Sequence, residues 1–137
     1  MNRSIFYLDD ETSLLEIFQE MFGDEYEVST ASTLDEARRV LAECPADIII
    51  SDQLMPEIEG TKFLAEAARM CPHSFRVLLT GKALVGDVIP EISAGIVHLF
   101  MRKPWSESEM REALERAENF LDSSGKPRRK RREEGEK

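Results

Sequence analysis

Five polar side chains stand where apolar runs of this 137-residue chain stop. Asp9 and Asp10 follow Ile5-Phe6-Tyr7-Leu8, Asp52 follows Ile48-Ile49-Ile50, Thr80 closes Phe75 to Leu79, and Lys103 comes just after Val97 to Met101. If those runs are neighbouring strands, three acids, a hydroxyl and an ammonium converge on one crevice, since open parallel sheets bind ligands beyond their carboxyl ends. Three carboxylates that close repel, and without compensation one would hold a proton. A divalent cation is the natural compensator. Hard oxygen ligands with no convergent His or Cys favour Mg2+ over zinc. Lys103 adds a positive point charge opposite the metal, and Thr80 a hydrogen-bond donor. Asp52 then faces whatever phosphoryl group those cations hold, as an in-line transfer onto an aspartate requires. Any one of these residues could simply solvate a loop. All five together make that reading poor.

The elements that must position them alternate, strand then helix, five times. Leu14, Leu15, Phe18, Met21 and Phe22 form one helical stripe, with Ser13 and Glu16 as an expected capping box and Gly23 as its end. Tyr26 to Ala31 reads as a strand. Thr33 with Glu36 opens a second helix that buries Leu34, Ala37, Val40 and Leu41. The unalternating Ile48-Ile49-Ile50 predicts a strand covered on both faces. Phe63, Leu64, Ala67 and Ala68 mark a third helix, stopped by Pro72. A last helix opens at Ser106 with Glu109 as its box partner and buries Met110, Leu114, Ala117 and Leu121. Such alternation implies βαβ units, right-handed crossovers and a mostly parallel α/β sheet. Cys44-Pro45 and Cys71-Pro72 recur between helix and strand, each Pro ending a helix and each Cys read as a small buried filler.

At 42% hydrophobic and 33% charged residues, the chain can build a core and is no disordered, collagenous or disulfide-framed protein. Two cysteines suit a reducing compartment, no apolar run spans a bilayer, and no signal-peptide stretch opens the chain, so a cytoplasmic protein is expected. The net charge is −9. Residues 1–121 carry 23 acidic against 11 basic side chains, a poor surface for nucleic acid. Residues 122–137 carry seven basic against four acidic, with Lys126-Pro127-Arg128-Arg129-Lys130-Arg131-Arg132 at their centre. They read as a disordered tail or linker, and nucleic acid could be met only there.

At these residues the chain resembles the receiver domain of response regulators in bacterial two-component signalling, over about residues 3–121. The acidic pair is Leu8-Asp9-Asp10-Glu11, the phosphoacceptor segment Ser51-Asp52-Gln53-Leu54-Met55-Pro56 with Gly60 closing the loop, and the remaining signatures are Thr80 and Lys103-Pro104. The resemblance implies a flavodoxin-like, doubly wound five-stranded sheet of order 2-1-3-4-5, helices on both faces and a receiver domain over 1–121. It implies Asp52 as the phosphorylated residue, and Mg2+ held by Asp10, Asp52 and the main-chain carbonyl of Leu54 with Asp9 assisting through water. It also implies a cis Lys103-Pro104 bond. The phosphodonor would be a histidine kinase or phosphotransfer protein. The output would be a downstream effector or a further output domain, with room for a homodimer.

Phosphorylation adds about −1.5 to −2 charges. By the resemblance Thr80 then moves toward the phosphoryl group and Phe100 turns inward, reshaping the surface of the fourth helix, fifth strand and fifth helix. Phe100 lacks a hydroxyl, so its signal would be steric. Gly86 and Pro90 interrupt the stretch between Lys82 and Ala94, where a short, kinked or late-starting helix is expected. Leu54 and Lys82 stand two residues beyond Asp52 and Thr80, flanking the path of hydrolytic water. Trp105 reads as a packing residue able to report Mg2+ by fluorescence, and His73 and His98 as structural or incidental. Two rivals remain. A Mg2+-dependent aspartyl phosphatase usually needs a second carboxylate at position 54, which is Leu; a non-phosphorylated interaction module would not need all five polar residues.

Overall fold

The computed structural model describes residues 3–81 and 94–123. The interrupted helix expected between Lys82 and Ala94 and the basic tail lie outside the described residues, except for its first two positions. The elements are β1 (Ser4–Leu8), α1 (Thr12–Phe22), β2 (Glu27–Ala31), α2 (Leu34–Glu43), β3 (Ile48–Asp52), α3 (Gly60–Met70), β4 (Phe75–Thr80), β5 (Leu99–Arg102) and α4 (Glu107–Ser123).

All strand pairs are parallel, in the order β2-β1-β3-β4-β5. The order reverses between β1 and β3, which puts the carboxyl ends of those strands at a switch point. Successive side chains of a strand face opposite ways, and two cores result. Ile5, Tyr7, Ile48, Ile50, Val77 and Leu79 pack with Phe18 and Phe22 of α1 and Met110 and Leu114 of α4. Phe6, Leu8, Ile49 and Leu78 pack with Ala37 and Leu41 of α2 and Phe63 and Leu64 of α3. Each such large side chain, fully buried, contributes roughly 1.5–3 kcal/mol. The same alternation carries Asp9 and Asp52 onto the α1–α4 side, behind Tyr7 and Ile50.

Local chemistry sets the helix ends. Glu109 N–H donates to Ser106 Oγ at 3.1 Å and Ser106 N–H to Glu109 Oε1 at 2.9 Å, a complete capping box. At α2, Glu36 N–H donates to Thr33 Oγ1 while the Glu36 carboxylate takes the Ser32 N–H. The box expected from Ser13 and Glu16 does not form. Helix α1 begins two residues earlier than that box requires, at Thr12, with Glu11 rather than Ser13 at its N-cap and no side-chain cap. Asp9 claims the Glu11 N–H instead, at 3.0 Å. Helices α2 and α3 stop before Pro45 and Pro72, with Cys44 and Cys71 at their C-caps. Cys71 is buried as expected, but Cys44 is exposed and fills nothing. Strand β5 starts at Leu99 rather than Val97, and α4 runs two residues past Leu121. Asp122 there accepts from the guanidinium of the buried Arg3, which also donates to Glu118 at 3.3 Å.

Candidate functional site

The strand ends bring the acids together. Asp9, Asp10 and Asp52 each offer a carboxylate oxygen, all within 4.8 Å of one another. Asp9 is fully buried and Asp52 is 5% exposed, whereas Asp10 faces solvent. Lys103 arrives on the turn after β5, where its N–H donates to the Thr80 carbonyl at 2.8 Å and the Lys103-Pro104 bond is cis. Its ammonium lies 3.1 Å from Asp9 Oδ2, 2.9 Å from Glu11 Oε1 and 3.5 Å from Asp52 Oδ2. Asp10 and Lys103 therefore flank Asp52 on one side of the molecule. Thr80, 1% exposed, ends β4 beside Leu79, the register partner of Asp52.

Charge crowding tunes these groups. Burial pushes the Asp52 carboxyl up to about 6, and the neighbouring Asp9 charge pushes the same way, while Lys103 opposes both. Burial disfavours the Lys103 ammonium. The Glu11 hydrogen bond and the charges of Asp9 and Asp52 outweigh that and hold its pKa above the usual lysine value. Asp52 is thus a buried acid whose ionised form is short of positive charge. The donor set is all oxygen, with no His or Cys in the cluster, and it suits a hard cation such as Mg2+.

The backbone around Asp52 is packed from behind. A Cβ on Gly60 would lie 2.2 Å from the Asp52 carbonyl oxygen, so the first turn of α3 can press on β3 only with glycine there. Gly60 N–H donates to the Gln53 carbonyl at 2.9 Å and Thr61 N–H to Gln53 Oε1 at 3.0 Å. Ser51 Oγ donates to the Asp52 carbonyl at 2.9 Å. In front, Leu54 is 57% exposed. It lines a groove of about 640 Å3 with Leu14, Ile17, Met21, Pro104 and Trp105, and Asp52 and Lys103 sit in the same groove.

Phe100 is half-buried against the α2–α3 core. Trp105 packs edge-on against Phe18, with ring centroids 6.1 Å apart. His98 is structural, as expected: Nδ1 accepts the Arg76 N–H at 3.0 Å and the ring stacks on Phe75. Tyr7 carries no role in the sequence reading. Its hydroxyl donates to Asp9 Oδ2 at 2.8 Å, and burial, reinforced by the Asp9 charge, pushes its pKa far above the ordinary tyrosine value. The available signal was period two, because a tyrosine two residues before a strand-end acid shares its face.

This sheet order, with an acid cluster at its switch point and a lysine ammonium reaching into it, defines a flavodoxin-like class of fold. Residues 5–115 match the response regulator receiver domain family, and the chain belongs to it. Receivers of this family typically use Mg2+. Among relatives, the hydrogenase transcriptional regulatory protein HoxA of Cupriavidus necator is 28% identical over 114 residues, 83% of this chain and 24% of its own length. The alginate biosynthesis transcriptional regulatory protein AlgB of Pseudomonas aeruginosa is 30% identical over 80% of this chain and 24% of its own. The chain thus spans about a quarter of the length of these regulators. Among solved structures, an adenylate cyclase from Rhodopirellula baltica superposes with a TM-score of 0.84 at 27% identity, covering 90% of this chain and 93% of that one. A CheY-like receiver domain protein from Methanospirillum hungatei has the same fold, with a TM-score of 0.83 at 21% identity, covering 91% of this chain and 100% of that one. Among the described residues no helix is long and apolar enough to cross a membrane.

Proposed function

We propose that this receiver accepts a phosphoryl group on Asp52 from a histidine kinase or phosphotransfer protein, in a Mg2+-dependent reaction, and passes the state on through protein contacts. The single observation that carries this reading is Lys103, whose ammonium reaches both Asp9 and Asp52 beside the acid cluster. Asp10, Asp52 and the Leu54 carbonyl would hold the cation, with Asp9 assisting. Bound Mg2+ would neutralise phosphoryl oxygens.

The chain's own residues do the rest. Asp52 Oδ attacks phosphorus, the N–P bond of the phosphohistidine breaks, and the imidazole leaves with the electron pair. Lys103 stabilises charge on the transferring oxygens, and Thr80 donates to the phosphoryl group once it is attached. Water later attacks phosphorus and returns the Asp52 carboxylate with orthophosphate. Leu54, Ile17, Leu14, Met21, Pro104 and Trp105 give a helical phosphodonor an apolar seat beside Asp52. Inward turning of Phe100 with Thr80 would alter the β5–α4 face, and a receiver over residues 1–121 would hand the signal to an output domain, an effector or a second copy. HoxA and AlgB are transcriptional regulators, which supports a genetic output.

Intact-mass spectrometry after acetyl phosphate treatment, with and without Mg2+, tests this. One phosphoryl mass is expected on the wild type with Mg2+ and none on Asp52→Ala. No adduct under any condition, or an adduct persisting in Asp52→Ala, overturns it. Turnover of a generic phosphate ester would favour a phosphatase instead.

A further inference from the structure

The Asp9 carboxylate is fixed by donors on both oxygens. Oδ1 accepts the Glu11 N–H at 3.0 Å, and Oδ2 accepts both the Tyr7 hydroxyl at 2.8 Å and the Lys103 ammonium at 3.1 Å. These donors differ in stiffness. The ammonium ends a flexible stem and is also drawn to Glu11 and Asp52, so it redistributes whenever the charge of the site changes. The Tyr7 ring cannot follow it. It is wholly buried within β1, its edge meets the Phe18 ring at a centroid distance of 5.1 Å, and it belongs to the core between α1 and α4. Any apolar side chain would fill that layer. A hydroxyl buried there without a partner would cost about 1–3 kcal/mol, so its use lies in the bond it makes.

We infer that Tyr7 is a positioning residue for the cation site, its hydroxyl holding Asp9 in the orientation that serves a divalent ion while Lys103 moves to the phosphoryl group. This rests on the reading of Asp9, Asp10 and Asp52 as a Mg2+ site. The role is that of the outer hydrogen-bond partners that orient ligands elsewhere, whose loss weakens metal binding by about 10–100-fold.

The test is calorimetric titration of Mg2+ alone into the whole chain. Tyr7→Phe removes one oxygen and keeps the ring, and Mg2+ affinity is expected to fall about tenfold. Placing 4-aminophenylalanine at position 7 restores a donor and is expected to restore affinity. Phe6→Leu, a core change on the opposite face, should lower the melting temperature and leave Mg2+ affinity unchanged. Wild-type affinity in Tyr7→Phe, failure of the amino analogue to rescue, or equal weakening by Phe6→Leu would each overturn the inference. Should Tyr7→Phe not fold, the amino analogue and Phe6→Leu still decide it against the wild type. A wild type that binds no Mg2+ would remove the cation reading itself, which is a different failure.

Discussion

Gly60 presses on Asp52: a β-carbon at position 60 would sit 2.2 Å from the Asp52 carbonyl oxygen and 2.9 Å from the carbonyl carbon. That neighbour is backbone and cannot swing away, so the first turn of α3 must back off if anything larger than hydrogen is placed there. Overpacking of this kind costs about 1–3 kcal/mol. Gly60→Ala is expected to lose that much stability in denaturant titration and to slow phosphorylation of Asp52, because the strand end that aims the carboxylate moves. Gly81→Ala meets nothing within 4 Å of the new carbon among the described residues and should change neither quantity. Equal behaviour of the two variants would refute the assignment.

Asp52 makes the metal-free protein less stable at neutral pH. Its carboxyl is pushed up to about 6, above its value in the unfolded chain, so the folded state binds the proton more tightly. The resulting stabilisation is full below about pH 4 and is lost as pH rises through 6. Asp52→Asn removes the destabilised charge and should raise stability by about 2 kcal/mol at pH 7.5 in chelator, with the gain shrinking toward pH 4. A gain independent of pH would contradict this. His98 pulls the other way. Burial first, and the Arg76 charge second, push it down to about 4, so the unfolded chain gains its proton below about pH 6.5 and stability falls as pH drops from there toward 4. The two slopes separate when Asp52→Asn and wild type are compared, because His98 is common to both.

Lys103 brings positive charge to a crowded set of acids, its ammonium standing among Asp9, Glu11 and Asp52. Removing one partner of a buried ion pair costs about 3–5 kcal/mol, because the remaining charge stays buried. Lys103→Met is expected to lower the melting temperature. Added Mg2+ should raise it by a larger increment than in the wild type, because the ion replaces the missing charge. Phosphorylation from acetyl phosphate at saturating Mg2+ should fall about a hundredfold. A Mg2+ increment equal to the wild type's would show that Lys103 and the cation do not share these carboxylates.

The fold was legible because its signals were redundant. Ile48-Ile49-Ile50 lies in a strand buried on both faces, and the stripes Phe18–Phe22 and Met110–Leu114–Ala117–Leu121 face the core as their spacing requires. The site was legible because chemistry-bearing residues ended strands. Reading failed where tertiary competition decided. Ser13 could have capped α1, but Asp9 holds the Glu11 N–H and the helix starts at Thr12. Cys44 and Cys71 share a local motif, yet only the second falls over a core. Tyr7 was passed over because an aromatic in an apolar strand looks like filling. Only the distance between its hydroxyl and Asp9 separates that from a polar contact.

Leu54 presents an apolar side chain, 57% exposed, at the mouth of the groove that holds Asp52. Hydrolysis of an aspartyl phosphate needs a water aligned with phosphorus on the side away from the Asp52 oxygen, and leucine can neither donate to nor accept from it. An amide at this position could do both. Its exposure also means that the exchange creates no cavity, so the core and the acid cluster keep their geometry. Leu54→Asn is therefore expected to shorten the phosphoryl half-life in Mg2+ about tenfold, the factor that one well-placed hydrogen bond supplies, without changing the rate of phosphorylation by acetyl phosphate, which needs no apolar seat. Decay followed by intact mass after removal of the phosphodonor measures it. An unchanged decay rate would place the attacking water beyond the reach of position 54.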